Sequence, residues 1–142
     1  MNADELARKV ADKLRSLEGT GAAWNVEIED AREGYARIAM VVRADMLNGH
    51  KTCHGGMIFA LADTAFAYAC NSRNVETVAQ NASIYFLTPG REGDRLVAEC
   101  REQALSGRSG VYGVTVSNQK GDKIAVFQGL SRSLGGSVLK PD

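Results

Sequence analysis

Apolar residues recur at changing intervals along this chain. Leu6, Val10, Leu14 and Leu17 return every three or four positions, so Asp4 to Leu17 reads as an amphipathic helix, with Gly19 and Gly21 as its end. Trp24, Val26 and Ile28 then alternate with Asn25, Glu27 and Glu29, the period of a half-buried strand. Arg32-Glu33-Gly34 reads as a turn and Tyr35 to Val42 as a second strand. A polar loop from Arg43 to Cys53 leads into a long apolar stretch. After Asn74 the two-residue period returns. Val78 to Phe86 is closed by Thr88-Pro89-Gly90, and Arg95 to Cys100 carries Leu96, Ala98 and Cys100 on one face. Tyr112, Val114 and Val116 stand opposite Thr115 and Ser117. Beyond a hairpin turn at Asn118 to Asp122, a last strand carries Ile124, Val126, Gln128 and Leu130. Short turns imply antiparallel pairing, and one long apolar helix among such strands predicts an α+β fold with the sheet wrapped round the helix. No repeat or linker divides the chain, which reads as one domain over residues 1–142 with an N-terminal helical segment at 1–19.

The apolar stretch holds one charge. From Thr52 to Ser72 every residue but Asp63 is uncharged, and most are small or apolar. A helix of this kind is buried on nearly every side. A carboxylate inside it is costly to ionise, so its pKa rises, which suits a general base or nucleophile. Two structural readings compete: Asp63 as the N-cap of a helix starting at Thr64, with Met57 to Ala62 a buried strand, or Asp63 as a buried carboxylate bonded to a hydroxyl. Met57, Ala60, Leu61 and Ala62 before it and Ala65, Ala67 and Ala69 after it favour one continuous helix.

Charge narrows the partners. Seventeen Lys and Arg balance seventeen Asp and Glu, which gives no basic field for nucleic acid or an anionic membrane. Cys53, Cys70 and Cys100 are odd in number and far apart, so they read as reduced thiols of a cytoplasmic protein rather than a disulfide framework. The first residues are acidic and lack the apolar core of a secretory signal, and the longest apolar run is too short to span a bilayer.

His54-Gly55-Gly56 precedes the apolar helix. Helix-start amides are unpaired and carry the positive end of the dipole, and glycine admits a ligand close to the backbone, so they suit a polarised carbonyl or oxyanion. An ordinary glycine turn is the competing reading. Gly55 and Asp63 are eight positions apart, roughly 12 Å along one helix. One aspartate cannot cover that gap. If both groups act on one substrate they come from two chains, so the catalytic reading requires a dimer with two shared sites. His50, Cys53 and His54 lack the further donors a metal site needs, and Cys53 lacks an oriented base, so neither a metal nor a thiol nucleophile is expected. No phosphate-binding glycine fingerprint is present.

The run Asn48-Gly49-His50-Lys51-Thr52-Cys53-His54-Gly55-Gly56, continuing through Leu61-Ala62-Asp63-Thr64-Ala65-Phe66-Ala67 to Asn71-Ser72, resembles the hotdog-fold acyl-CoA thioesterases. It is most similar to their phenylacetate-pathway (PaaI-type) branch. The likeness continues through Ile84 to Gly90, Ser106 to Tyr112 and Gly135-Gly136. It implies dimers with continuous sheets, often paired into tetramers. Carried over by position, Gly55 supplies the N–H that polarises the thioester carbonyl, and His54 shapes the turn. Asn48 lies near the carbonyl or orients water, and Asp63 of the neighbouring chain is base or nucleophile. Some relatives place a water-orienting serine or threonine on the strand after the central helix. Ala79 stands at that position here, with Asn81 and Ser83 nearby. Gly56, Phe59, Phe66, Asn81 and Ser83 are the expected substrate contacts. Arg91, Arg108, Lys120 and Lys123 are the expected contacts to coenzyme A phosphates, by charge alone.

The resemblance implies hydrolysis of aryl-acetyl-CoA esters such as phenylacetyl- or hydroxyphenylacetyl-CoA, with coenzyme A as part of the substrate and no separate cofactor. Two rivals share the fold. A 3-hydroxyacyl-CoA dehydratase or hydratase would need a histidine and a carboxylate over one substrate. A non-catalytic acyl-CoA-binding module would need no base at Asp63 and usually carries a further regulatory domain, for which 142 residues leave no room.

Overall fold

A computed structural model describes residues 1–141. Helix α1 (Ala3–Leu17) starts on Asn2, whose side chain accepts from Glu5 N–H at 2.8 Å and donates to the Glu5 carboxylate at 3.0 Å, a reciprocal cap. It buries Ala7, Val10 and Ala11, with Leu14 half-buried, but Leu17 is 67 % exposed and falls outside the stripe. The chain does not stop at Gly19. A short helix α2 (Gly19–Ala23) follows, with Gly21 buried against the Arg15 side chain, so close that a Cβ there would lie 2.7 Å from Arg15 Cδ. Trp24 therefore caps a helix, Asn25 takes a positive φ of 51°, and strand β1 (Glu27–Arg32) begins later than the alternation from Trp24 implied.

Strand β2 (Tyr35–Val41) pairs with β1, and a loop with one 3-10 turn (Ala44–Met46) leads to helix α3 (Gly55–Cys70). Strands β3 (Thr77–Phe86), β4 (Arg95–Ser106), β5 (Ser109–Ser117) and β6 (Lys123–Ser133) complete the chain. The strands form one antiparallel sheet in the order β1-β2-β4-β5-β6-β3. Strand β3, which follows α3 in sequence, thus lies at the far edge, paired only with β6. Helix α3 crosses the concave face and touches all six strands, as the α+β hotdog reading required.

β4 runs well past Cys100, because its second half pairs with β5, through one bulge between Glu102 and Ala104, up to a turn at Gly107, whose φ is +60°. In β6 the helix-facing residues are Ala125, Phe127, Gly129 and Ser131, while Val126 and Gln128 face outward. The core closes around Phe66, whose ring lies 5.5 Å from Tyr112 and 5.8 Å from Phe127 between centroids. Gly129 makes this possible, since a Cβ there would sit 2.7 Å from the Phe66 ring. On its other flank α3 packs against α1, and the Tyr68 hydroxyl donates to the Glu18 carboxylate at the end of that helix. All three cysteines are free and buried. Among the described residues no helix is long and apolar enough to cross a membrane.

The fit at Gly129 is testable. Gly129→Ala overpacks a fully buried ring and should lower stability by about 1–3 kcal/mol. The measurement is the urea midpoint at unchanged slope. A variant as stable as the wild type would mean that Phe66 moves aside freely.

Candidate active site

The start of α3 is fixed by its surroundings. Cys53 N–H donates to Gly90 O at 2.8 Å and His54 N–H to Met46 O at 2.8 Å, so the segment is held from both sides. His54 is the N-cap, and its Nδ1 accepts from Gly56 N–H at 2.8 Å. The helix therefore begins at Gly55, two residues earlier than a turn spanning all three residues would place it. The His54 carbonyl accepts from Met57 and Ile58. Gly55 N–H is left without a partner among the described residues. An unpaired amide at the first position of a four-turn helix is the positive end of the dipole presented to solvent.

That amide opens into a cleft of about 390 Å³ whose lining includes Asn48, Thr52, Ile58, Phe86 and Pro89. The Phe86 ring lies 3.1 Å from where a Cβ on Gly55 would be, so a side chain there would crowd this approach. Asn48 and Gly55 are thus brought together. Asn48 Oδ1 accepts from His50 N–H at 2.9 Å and Thr52 N–H at 3.2 Å, and its Nδ2 donates to Thr52 Oγ1 at 3.0 Å. These bonds close the loop and fix the amide at the cleft wall. The expected set did not include Phe86, Thr52 and Pro89. Their signal was the aromatic at the end of a strand just before Thr88-Pro89-Gly90.

Asp63 lies two helical turns on, in one unbroken helix, which rules out the N-cap reading. Its carboxylate is half-buried and makes no hydrogen bond or ion pair among the described residues. Thr64, the adjacent hydroxyl, donates instead to Ala60 O at 2.7 Å. Burial alone raises the Asp63 pKa above its ordinary value of 3.8. Asp63 does not line the Gly55 cleft. It stands on the flank of α3 covered by neither sheet nor α1, with Gly56, Ala60 and Ala67, all at least partly exposed.

Other expected contacts separate. Phe66 is 1 % exposed and belongs to the core, so it offers no surface to a substrate. Phe59 is half-buried, edge-on to Phe127 at 5.4 Å. On β3, Ala79 pairs with Ser131 and Ala82 with Gly129, both on the helix-facing side of β6. A bulge between Ala79 and Asn81 sets this register. Asn81 and Ser83 pair with Leu130 and Gln128 and so face away from the helix. They do not join the lining of the Gly55 cleft of their own chain.

The four basic residues do not converge within one protomer. The Gln119 side chain donates to Asp94 at 2.9 Å and ties the turn carrying Lys120 to the turn carrying Arg91. These two and Lys123 sit at the sheet end nearest Gly90 and the Gly55 cleft. Arg108 sits at the opposite end, in the β4–β5 turn, beside a small cavity of about 140 Å³. The Cys53 thiol is pushed up to about 11, chiefly by burial, which makes it a poor nucleophile. Among the described residues no three His, Cys, Asp or Glu side chains cluster as metal ligands.

Comparison with known proteins agrees with this architecture. Residues 50–125 match the family model of the thioesterase superfamily. The chain is 45 % identical over 116 residues to the acyl-coenzyme A thioesterase PaaI of Escherichia coli K12, covering 82 % of this chain and 83 % of that protein. The solved structure of the E. coli PaaI protein from the phenylacetic acid degradation operon superposes with a TM-score of 0.94 at 40 % identity, over 96 % of this chain and 99 % of the other. A Streptococcus mutans UA159 protein solved bound to acetyl-CoA superposes with a TM-score of 0.77 at 26 % identity, over 80 % of this chain and 91 % of that one. By fold, by helix-start sequence and by these matches, the chain belongs to the thioesterase superfamily.

Proposed function

We infer that the protein hydrolyses acyl-CoA thioesters, with aryl-acetyl esters such as phenylacetyl- and hydroxyphenylacetyl-CoA as its substrates, in two sites shared by a homodimer. The observation that carries this reading is the pairing of an unsatisfied Gly55 N–H with an unpartnered Asp63 on the same rigid helix, too far apart to act together within one chain. The relative named as an acyl-CoA thioesterase, and the neighbour solved with acetyl-CoA, support the substrate class.

In the shared site Gly55 N–H donates to the thioester oxygen as negative charge grows there. A donor of this kind is worth roughly 3–4 kcal/mol in other enzymes. His54 positions it by holding Gly56 N–H on Nδ1. The partner's Asp63 acts in one of two ways. As a base it takes a proton from water while the water oxygen attacks the carbonyl and the C–S bond breaks, leaving the acid and the coenzyme A thiolate. As a nucleophile its carboxylate displaces the thiolate, and water then cleaves the mixed anhydride. Asn48, fixed at the cleft wall, orients the carbonyl or the water. Arg91, Lys120 and Lys123 at the mouth of the cleft, with Arg108 supplied by the partner's far end, are assigned to the coenzyme A phosphates. The commitment of His54 Nδ1 to the helix start weighs against dehydratase chemistry, which needs that ring over the substrate.

The open edge of β3 supports the dimer. Val78, Tyr85, Phe86 and Leu87 are large apolar residues left exposed on or beside an unpaired strand. Such an edge is normally covered. A second copy adding its own β3 would make the sheets continuous, and two dimers would make the tetramer. The free thiols suit action in a reducing cytoplasm.

Asp63→Asn, nearly isosteric, should lower kcat by at least about 100-fold, the reach of general acid–base catalysis. Thiol release from phenylacetyl-CoA is the measurement, and unimpaired release would sink the mechanism. Mixing Asp63→Asn chains with Gly55→Ala chains should restore part of the activity, because one site in each mixed dimer is then intact. Stable mixed dimers with none would argue against sharing.

The same Asn variant should also be more stable than the wild type at neutral pH. A raised folded pKa means that the folded chain holds this proton more tightly than the unfolded chain. Stability therefore falls as pH rises from the ordinary 3.8 through the folded value, and is flat above it. The advantage of the variant should grow over that window and vanish below it. Urea titrations across the acid range would read this, and a constant difference would contradict it.

A further inference from the structure

A second void lies at the other end of α3. It is a groove of about 460 Å³ between α1, the C-terminal half of α3, the start of β3 and the tail after β6. Its apolar walls are Leu14 and Leu17 from α1, Ala67 from α3, Val78 from β3, and Leu134 and Val138 from the tail. Leu17 and Leu134 are 67 % and 59 % exposed, an unusual expense of large apolar side chains around a void. Three of the four charges at its rim are engaged, and the fourth, Lys13, is exposed to solvent. Glu18 accepts from the Tyr68 hydroxyl and Lys140 pairs with Glu76 at 3.2 Å. The walls, six apolar side chains, therefore suit an apolar group. Its volume is ordinary for a small-molecule pocket.

Symmetry brings this groove to the catalytic cleft of the other chain. If Gly55 meets the partner's Asp63, a two-fold axis requires Asp63 to meet the partner's Gly55. Only antiparallel helices satisfy both. Four residues beyond Asp63, the partner's Ala67 then lies level with a point about 6 Å past Gly55. That is over the loop carrying Asn48, outside the helix start. The partner's groove, of which Ala67 is the near wall, therefore continues the space that begins at Gly55 N–H. The acyl carbon is held between Gly55 and the partner's Asp63, so whatever the acyl group carries beyond an acetyl unit can extend into that groove.

We propose that this groove is the acyl-recognition pocket of the shared site, supplied by the same chain that supplies Asp63, and that Leu17 and Leu134 set the size of the group it accepts. The proposal rests on the thioesterase reading above. It assigns a substrate-selecting role to α1 and the C-terminal tail, which lie outside the matched residues 50–125.

The test is the ratio of kcat/KM for phenylacetyl-CoA to that for acetyl-CoA, since an acetyl group ends before the groove. In Leu134→Trp the indole fills the groove, and the ratio should fall at least tenfold. Leu17→Trp, on α1, gives the same reading should the first variant fail to fold. An unchanged ratio overturns the proposal. Mixed dimers of Leu134→Trp and Asp63→Asn chains locate the groove. Their one live carboxylate belongs to the chain whose groove is blocked, so the ratio should stay low. Recovery of the wild-type ratio would put the groove on the Gly55 chain and overturn the assignment. Wild-type protein that releases thiol from neither ester fails at the thioesterase reading itself, before any variant is compared, and the groove assignment falls with it.

Discussion

A sixteen-residue helix with one charge must be sheathed on every side, and the rest of the molecule is arranged around that need. The curled sheet covers one flank of α3 and touches it from all six strands. The amphipathic α1 covers a second flank. The close fit of Phe66 over Gly129 shows how tightly the sheet is drawn against the helix. A third flank, carrying Asp63, Ala60 and Ala67, has no cover within the chain. The burial that raises the pKa of Asp63 and the exposure that lets it reach another molecule are two sides of that one incomplete sheath.

The same rigidity separates the reacting groups. Gly55 is bound to its place through its neighbours, by bonds to Gly90 and Met46 and by the His54 cap. Asp63 rides on the same rod. Neither can approach the other, so in the proposed mechanism a second copy completes each site, one chain giving the electrophilic end and the other the carboxylate. Tight packing, usually discussed as a source of stability, is on that proposal also what calls for two chains.

Much of this was legible in the sequence because it rests on period and on charge. The central helix, its lone carboxylate and the two-residue period of the strands are properties of residue spacing, and the structure keeps them. The misreadings came where tertiary contacts decide. The first helix ends at Leu17 as its pattern implied, yet Arg15 packs across Gly21, and Gly19 and Gly21 fall in a further short helix, α2, that the sequence did not suggest. The last strand is found where its residues placed it, but which of its faces meets the helix is decided by packing: Phe127 is the residue that meets Phe66. Asn81 and Ser83 look available as site residues, but a bulge at Gln80, invisible in composition, turns both to the outer face. Phe66 resembles a substrate contact until the room made by Gly129 shows it to be core. The cleft wall at Phe86 depends on where β3 ends relative to α3, which no local pattern encodes.

The strand order also bears on how the protein is made. Strand β3 follows α3 directly in sequence but pairs only with β6, the last strand to be synthesised. While the chain emerges from the ribosome, Thr77 to Phe86 has no native partner until residues up to Ser133 are out. Its apolar row and both its edges are bare during that interval, the state in which nascent chains associate wrongly. The surface on which the second copy is expected is thus completed only once β6 has paired with β3, so the edge of the proposed dimer cannot take shape before Ser133 is available.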